Sequence, residues 1–139
     1  MTFAAQMRIG SLEVLLALGA FGIIVGRSRL TPARAAVDLD VQLAFDGEVA
    51  TFTVGEGRPA RIIGRSGDAQ ISLADPEVSR RHASLQAARG ILYLTDLHSR
   101  NGTYLNGRRL RDEGIEVKAG DHIDVGNTRI EVIAAAPSP

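Results

Sequence analysis

Residues 61–107 read RIIGRSGDAQISLADPEVSRRHASLQAARGILYLTDLHSRNGTYLNG. Short apolar runs at residues 71–73, 83–87 and 91–97 are separated by segments rich in Gly, Asn and Asp, which interrupt regular structure. No amphipathic segment between these runs is long enough to be the crossover helix that parallel strands need. The pattern therefore predicts an all-β sandwich or barrel and argues against a parallel α/β fold.

The same strand pattern continues on both sides of this stretch. Apolar residues occupy alternate positions at residues 37–45, which is the period of a half-buried strand, and Asp-Gly at residues 46–47 predicts a turn into a second strand around residues 52–54. Further strands are predicted at residues 61–64, 71–73, 83–87, 91–97, 115–117, 122–125 and 129–133. We therefore expect one all-β domain over residues 37–135, followed by a disordered tail at residues 136–139.

Composition limits the classes of function. The chain has 139 residues and no cysteine, which excludes disulfides, thiolate metal sites and cysteine nucleophiles. Residues 1–36 contain four arginines and one glutamate, for a net charge of +3, whereas residues 37–139 contain 12 basic and 15 acidic residues, for a net charge of −3. An acidic domain lacks the clustered cations that release counterions from nucleic acid, so we expect no nucleic-acid partner.

The N-terminal segment is strongly apolar. Residues 14–25 read VLLALGAFGIIV, and a helix over residues 9–26 would be about 27 Å long, close to the roughly 30 Å of a bilayer core. Three arginines follow this run, and positive charge marks the cytoplasmic side of a membrane segment. We therefore predict a single-pass membrane anchor helix at residues 1–26, a linker at residues 27–36 and a cytoplasmic domain.

Two other interpretations of this segment remain open. Residues 33–35 (ARA) have the small-x-small form of a signal-peptidase site, which would make the segment a cleaved secretory signal. Alternatively, the segment forms a hydrophobic helix that is buried against a partner protein. The single arginine before the apolar run, and the distance from that run to residues 33–35, favour the membrane anchor over the cleaved signal.

Three polar clusters interrupt the predicted strands: residues 64–66 (GRS), 79–83 (SRRHA) and 99–107 (SRNGTYLNG). Each lies at a strand end or turn, where a sandwich gathers its binding loops. They supply guanidinium groups, a hydroxyl and a carboxamide from Arg65, Ser79, Arg80, Arg81, Arg100 and Asn101. Guanidinium and hydroxyl donors suit a phosphate ester, and a carboxamide suits a peptide backbone. The clusters therefore predict an anion site combined with a peptide clamp.

In this order, and with strand-like spacers between them, the three clusters resemble the forkhead-associated (FHA) domain family. The resemblance covers about residues 37–135. It implies an eleven-stranded β-sandwich, here preceded by one N-terminal hydrophobic helix, and it implies that the loops at one end bind phosphothreonine peptides. The order of the clusters is specific, whereas any one of them alone occurs often by chance.

The resemblance also implies roles for single residues. Arg65 matches the family's main phosphate-binding arginine, Ser79 matches its phosphate-binding serine, and Asn101 matches the asparagine that holds the peptide main chain. Arg80 and Arg100 occupy variable positions at which phosphate contact is expected, and Arg100 stands where many members have a threonine. Four further positions match residues that shape the loops, namely Gly64, His82, Gly102 and Asn106.

The sequence does not indicate an enzyme, a metal or a cofactor. Asp75, Ser79 and His82 are the residue types of a hydrolase triad, but they lie within eight residues, whereas triads are assembled from distant segments. Three scattered histidines without cysteine have no metal-ligand spacing. We therefore expect a membrane-tethered phosphothreonine-binding recruitment module. The alternative is a structural subunit of a membrane complex that binds non-phosphorylated partners.

Overall fold

The computed structural model describes residues 36–139. The predicted membrane anchor at residues 1–26, and all but the last residue of the predicted linker at residues 27–36, lie outside the described residues. Within residues 36–139 no helix is long and apolar enough to cross a membrane. This part of the chain forms eleven strands, the number that the resemblance to the FHA family implied.

The strands form where apolar and polar residues alternate. In β1 (Leu39–Phe45), for example, Leu39, Val41 and Leu43 are buried while Gln42 is exposed. The remaining strands are β2 (Glu48–Val54), β3 (Arg61–Gly64), β4 (Ile71–Ser72), β5 (Ala83–Ala88), β6 (Ile91–Asp96), β7 (Thr103–Leu105), β8 (Arg108–Arg109), β9 (Ile115–Val117), β10 (His122–Val125) and β11 (Thr128–Pro137).

The strands form two sheets around one core. The six-stranded sheet has the order β2-β1-β11-β10-β7-β8, and the five-stranded sheet has the order β4-β3-β5-β6-β9. Neighbouring strands are antiparallel except β3 and β4, which pair in parallel through Ile63 and Ile71. Val41 and Ile130 from the first sheet and Leu85 and Leu94 from the second are fully buried, so the core is aliphatic.

The structure differs from the predicted strands in two places. β7 and β8 lie within and just after the third polar cluster, where only loops were expected, because strands of three and two residues are too short to show a period. The disordered tail predicted at residues 136–139 is also wrong in part, since β11 continues to Pro137 and pairs there with Leu39. The backbone N–H of Ser138 then donates to the carbonyl of Asp38, at 2.8 Å, which holds the end of the chain.

The two ends of the sandwich carry different parts of the chain. One end, called here the loop end, gathers the end of β3, the β4–β5 loop, the β6–β7 loop and the β10–β11 turn. The opposite end holds the β5–β6 turn, the start of β1 and the end of β11. All three polar clusters begin at the loop end, so the antiparallel topology brings them together.

Candidate functional site

A cavity of about 250 Å³ opens at the loop end. It is lined by Arg65, by residues 76–80 of the β4–β5 loop and by Arg100 of the β6–β7 loop. Arg65, Ser79, Arg80 and Arg100, the four residues predicted to contact a phosphate, therefore line one cavity although they are up to 35 positions apart in sequence. The guanidinium groups are on exposed residues, and Ser79 is half-buried.

The backbone and side chain of Arg65 are both fixed by the β4–β5 loop. Its N–H donates to the carbonyl of Ser79 at 3.0 Å, and its Nε donates to the carbonyl of Val78 at 3.1 Å. No other side-chain hydrogen bond or ion pair is made by Arg65 within residues 36–139. Its two terminal nitrogens therefore remain available to an anion in the cavity, and they are held in position in advance.

Ser79 connects two of the loops. Its Oγ accepts a hydrogen bond from the backbone N–H of Arg100, at 3.0 Å. Because this bond uses a lone pair of the hydroxyl, the hydroxyl hydrogen is still free to be donated to an anion. The same bond holds the backbone of Arg100 beside the cavity.

Gly64 is buried at the end of β3, where the backbone of the β4–β5 loop approaches it closely. A Cβ at this position would collide with the carbonyl group of Arg80. The backbone N–H of Ser66 donates to that same carbonyl, at 3.3 Å. Glycine at position 64 therefore lets the first two polar clusters lie against each other.

His82 is fully buried between the second and third clusters. Its Nδ1 accepts the backbone N–H of Ser79, at 3.0 Å, and its Nε2 lies 2.8 Å from the carbonyl of Gly102. A carbonyl only accepts, so Nε2 carries the hydrogen and the imidazole is neutral in this arrangement. The ring is fully engaged in holding the two loops, which leaves it no role as a catalytic base.

Asn101 is held by Glu77, a residue that sequence reasoning missed. The Nδ2 of Asn101 donates to the backbone carbonyl and to the Oε2 of Glu77, both at 2.9 Å. Both amide hydrogens are thereby used, and the Oδ1 of Asn101 remains available as an acceptor for a peptide N–H. Nothing local in the sequence indicates this pair, because the two residues are 24 positions apart.

Two aspartates hold the loops from below: the half-buried Asp96, which the sequence analysis missed, and the buried Asp75, which it considered only as a triad residue. The Asp96 carboxylate accepts the hydroxyls of Ser99 and Thr103, at 2.5 and 2.6 Å, and the N–H of Ser99, at 3.1 Å. Burial of this carboxylate raises its pKa, but the hydrogen bonds from Ser99 and Thr103 outweigh burial and leave the pKa of Asp96 below its ordinary value. An Asp three residues before Ser99 is a local turn signal that a reading of the sequence could have used.

Asp75 joins the β4–β5 loop to the β10–β11 turn. Its carboxylate accepts the N–H of Glu77 at 2.9 Å, the N–H of Asn127 at 2.7 Å and the hydroxyl of Thr128 at 2.8 Å. Burial acts to raise the pKa of Asp75, but these hydrogen bonds lower it further than burial raises it, so the pKa lies below its ordinary value. The ionised carboxylate is therefore a structural acceptor that holds the two turns together.

Two residues of the polar clusters lie elsewhere. Asn106 has a φ of 49° in the β7–β8 turn, where its side chain bonds Asp121 and the N–H of His122, at 3.0 and 2.8 Å. It shapes that turn rather than the cavity. Arg81 lines a separate depression with Asp68 on the flank of β3.

Comparison with known proteins agrees with this geometry. The FHA domain family model matches residues 61–126. FhaB of Mycolicibacterium smegmatis is 33% identical over 107 residues, which are 76% of this chain and 68% of FhaB. FhaA of Mycobacterium tuberculosis is 38% identical over 87 residues, which are 63% of this chain but only 16% of FhaA. The match thus covers a small part of FhaA and about two thirds of FhaB.

Solved structures show the same fold. The FhaA FHA domain, complexed with the intracellular domain of Rv3910, superposes with a TM-score of 0.56 at 35% identity, over 68% of this chain and 98% of that one. The MEK1 FHA domain, in complex with the HOP1 pThr318 peptide, superposes with a TM-score of 0.59 at 25% identity, over 68% and 95% of the two chains. The fold is an FHA-type β-sandwich, and the chain belongs to the FHA domain family.

Proposed function

We propose that this chain is a non-enzymatic module that binds threonine-phosphorylated proteins and is tethered to a membrane by its N-terminal hydrophobic segment. The observation that carries the binding proposal is the convergence of three guanidinium groups and one serine hydroxyl on a single cavity. A phosphothreonine brings a charge of about −1.5 to −2 and three acceptor oxygens, which these donors can satisfy.

Each residue then has a chemical task. Arg65, whose terminal nitrogens are held in position by the bond from its Nε to Val78, binds the phosphate, and Ser79 donates its hydroxyl to it. Arg80 and Arg100 add positive charge at the rim. Asn101 accepts a main-chain N–H of the peptide beside the phosphothreonine.

The same cavity also has an apolar side. The exposed Pro76 lines it and offers an apolar contact to the threonine methyl group. Burying one methyl group contributes about 0.8 kcal/mol, so we expect phosphothreonine to be preferred over phosphoserine by about fourfold.

The direct test is a titration of the full 139-residue chain, in nonionic detergent, with a library of fluorescent phosphothreonine peptides. We expect fluorescence anisotropy to show binding that is weakened by salt and abolished when the peptides are dephosphorylated. Arg65→Ala should weaken binding by about tenfold or more, because a charge-assisted contact to the phosphate is lost.

Arg89→Asn is the matched control for this loss of one positive charge. Arg89 lies in the β5–β6 turn at the opposite end of the sandwich and has a φ of 55°, which asparagine tolerates. If phosphorylated and dephosphorylated peptides bind equally well, the result favours the alternative function, a structural subunit that binds non-phosphorylated partners. Unchanged binding by Arg65→Ala would show that the phosphate binds elsewhere.

The membrane part of the proposal rests on the sequence of residues 9–26. Their length and apolar character match a bilayer span, and the arginines after residue 26 support a cytoplasmic position for the FHA domain. On this proposal the chain recruits a threonine-phosphorylated protein to the cytoplasmic face of the membrane without modifying it.

A further inference from the structure

Arg109 lies against the loop that carries Asn101, although no motif in the sequence connects the two residues. A Cβ on Gly102 would stand 2.8 Å from the Nε and 3.1 Å from the Cζ of Arg109, so the guanidinium lies directly on the backbone of Gly102. Gly102 has a φ of +83° and follows Asn101 directly. Because consecutive Cα atoms are only about 3.8 Å apart, the guanidinium is a close neighbour of the proposed peptide clamp.

The backbone holds Arg109 in this place. β8 pairs with β7, so that Arg109 stands opposite Tyr104, and the N–H of Leu110 donates to the carbonyl of Thr103 at 2.8 Å. Thr103 is itself bonded to Asp96 under the β6–β7 loop. The position of Arg109 is therefore set by the same elements that set the position of Asn101.

A second cavity, of about 320 Å³, adjoins this arginine. Its lining residues, 108–111 and 113–115, include three exposed arginines, Arg108, Arg109 and Arg111. Within residues 36–139 none of the three makes a side-chain hydrogen bond or an ion pair. Glu113 is the one acidic residue in the lining, which leaves an excess of two positive charges. Clustered like charges repel, so an anionic ligand would stabilise them.

We infer that Arg109, together with Arg108 and Arg111, forms a second anion-binding subsite, which takes the acidic side chains that flank the phosphothreonine in the same peptide. This inference rests on the proposed function. An extended peptide advances about 3.3 Å per residue. A peptide whose phosphate lies near Arg65 and whose backbone contacts Asn101 therefore brings a side chain a few residues away to Arg109.

The test compares three phosphothreonine peptides of equal length, titrated into the full chain in nonionic detergent. One has neutral residues on both sides of the phosphothreonine, one has three glutamates before it, and one has three glutamates after it. We expect one of the two acidic peptides to bind about three- to tenfold more tightly than the neutral peptide. The side on which glutamate helps gives the direction of the peptide across the site.

Four variants assign the effect to this subsite. Arg109→Ala should remove the preference for the acidic peptide and change binding of the neutral peptide less than about twofold. Glu113→Gln should increase the preference, because it removes the opposing charge, and Arg89→Asn should leave it unchanged. Arg109→Lys keeps the positive charge without the planar guanidinium group and should retain part of the preference. If Arg109→Ala does not fold, Glu113→Gln still tests the subsite.

The outcomes separate this inference from the proposed function. If the neutral phosphopeptide binds in an Arg65-dependent way but neither acidic peptide binds more tightly, the second subsite is wrong and the phosphothreonine site stands. The same conclusion follows if Arg109→Ala weakens all three peptides equally. If no phosphothreonine peptide binds the unaltered chain, both the proposed function and this inference fall.

Discussion

Glu77 brings a carboxylate to the edge of a cavity that is lined by three arginines. The carboxylate accepts one hydrogen of the Asn101 amide, and the backbone carbonyl of Glu77 accepts the other. On the proposed function, Glu77 therefore has two opposite effects on a bound phosphopeptide. It positions Asn101, which helps, and it repels the phosphate, which opposes binding.

Glu77→Gln should separate these effects, because glutamine keeps an acceptor oxygen for Asn101 and loses the negative charge. We expect the variant to bind a neutral-flanked phosphothreonine peptide about two- to fivefold more tightly, with the gain largest at low salt. Anisotropy titrations at two salt concentrations measure this gain. Glu48→Gln, at an exposed position of β2, is the control that removes the same charge from a different strand. Weaker binding by Glu77→Gln would mean that positioning of Asn101 outweighs repulsion.

At the scale of elements, side chains rather than strand pairing connect the loops of the two sheets. Asp75, in the loop between β4 and β5, bonds Asn127 and Thr128 at the turn between β10 and β11. Gly126 permits this approach, since a Cβ there would lie 2.9 Å from the Asp75 carboxylate. The cavity wall formed by residues 76–80 starts directly after this connection.

Asp75→Ala should lower the free energy of unfolding by about 1–3 kcal/mol at neutral pH, because three donors lose their acceptor. The pKa of Asp75 is lower in the folded chain than in the unfolded chain, so the carboxylate stabilises the fold above its unfolded pKa. This stabilisation is lost as the pH falls through the folded pKa. The difference in stability between the original chain and the variant should therefore shrink below about pH 4.

Urea denaturation between pH 7 and pH 3 measures this difference. Asp112→Ala, in the exposed segment between β8 and β9, is the control that removes a carboxylate without these contacts. A difference for Asp75→Ala that stayed constant down to pH 3 would contradict the structural role of the ionised carboxylate.

At the scale of the whole domain, the candidate site and the point where the chain enters the sandwich are at opposite ends. β11 starts at Thr128, beside the β10–β11 turn, and ends at Pro137, where it pairs with Leu39 at the start of β1. Ten residues of strand span roughly 33 Å. The start of β1 and the candidate cavity are therefore separated by roughly the length of the sandwich.

The proposed membrane tether predicts the behaviour of the full chain in cells. We expect the chain to stay in the membrane pellet after carbonate extraction, and a double variant, Leu16→Arg with Ile23→Arg, to be released, because charges inside a bilayer span are costly. Phosphopeptide binding by the released variant is the control for folding.

Since the chain has no cysteine, Pro139→Cys provides one thiol whose labelling by an impermeant maleimide reports the side of the membrane.

Other results would support the alternatives for the N-terminal segment. Release of the unaltered chain by carbonate would favour a helix that docks on a partner protein. A mature N-terminus after residue 35, found by mass spectrometry, would identify a cleaved signal.

Strand positions were largely predictable, because a half-buried strand carries a period of two. The predictions at residues 61–64, 115–117 and 122–125 match β3, β9 and β10 in full. β7 and β8 were missed because their few residues show no period, and the end of β11 was misjudged because small residues and prolines gave no apolar pattern. Pairing with β1 and the hydrogen bonds of Ser138 to Asp38 and Asp40 order those residues.

The sequence by itself determined that the chain is an all-β sandwich of the FHA type and which three clusters would supply the loops. Only the tertiary structure revealed that Glu77 holds Asn101, that Asp75 holds the β10–β11 turn and that Arg109 covers Gly102. The physical reason is the separation along the sequence of the residues that are in contact. Alternation and turn signals act between neighbours along the chain, whereas these contacts join residues 7 to 52 positions apart and exist only in the folded chain.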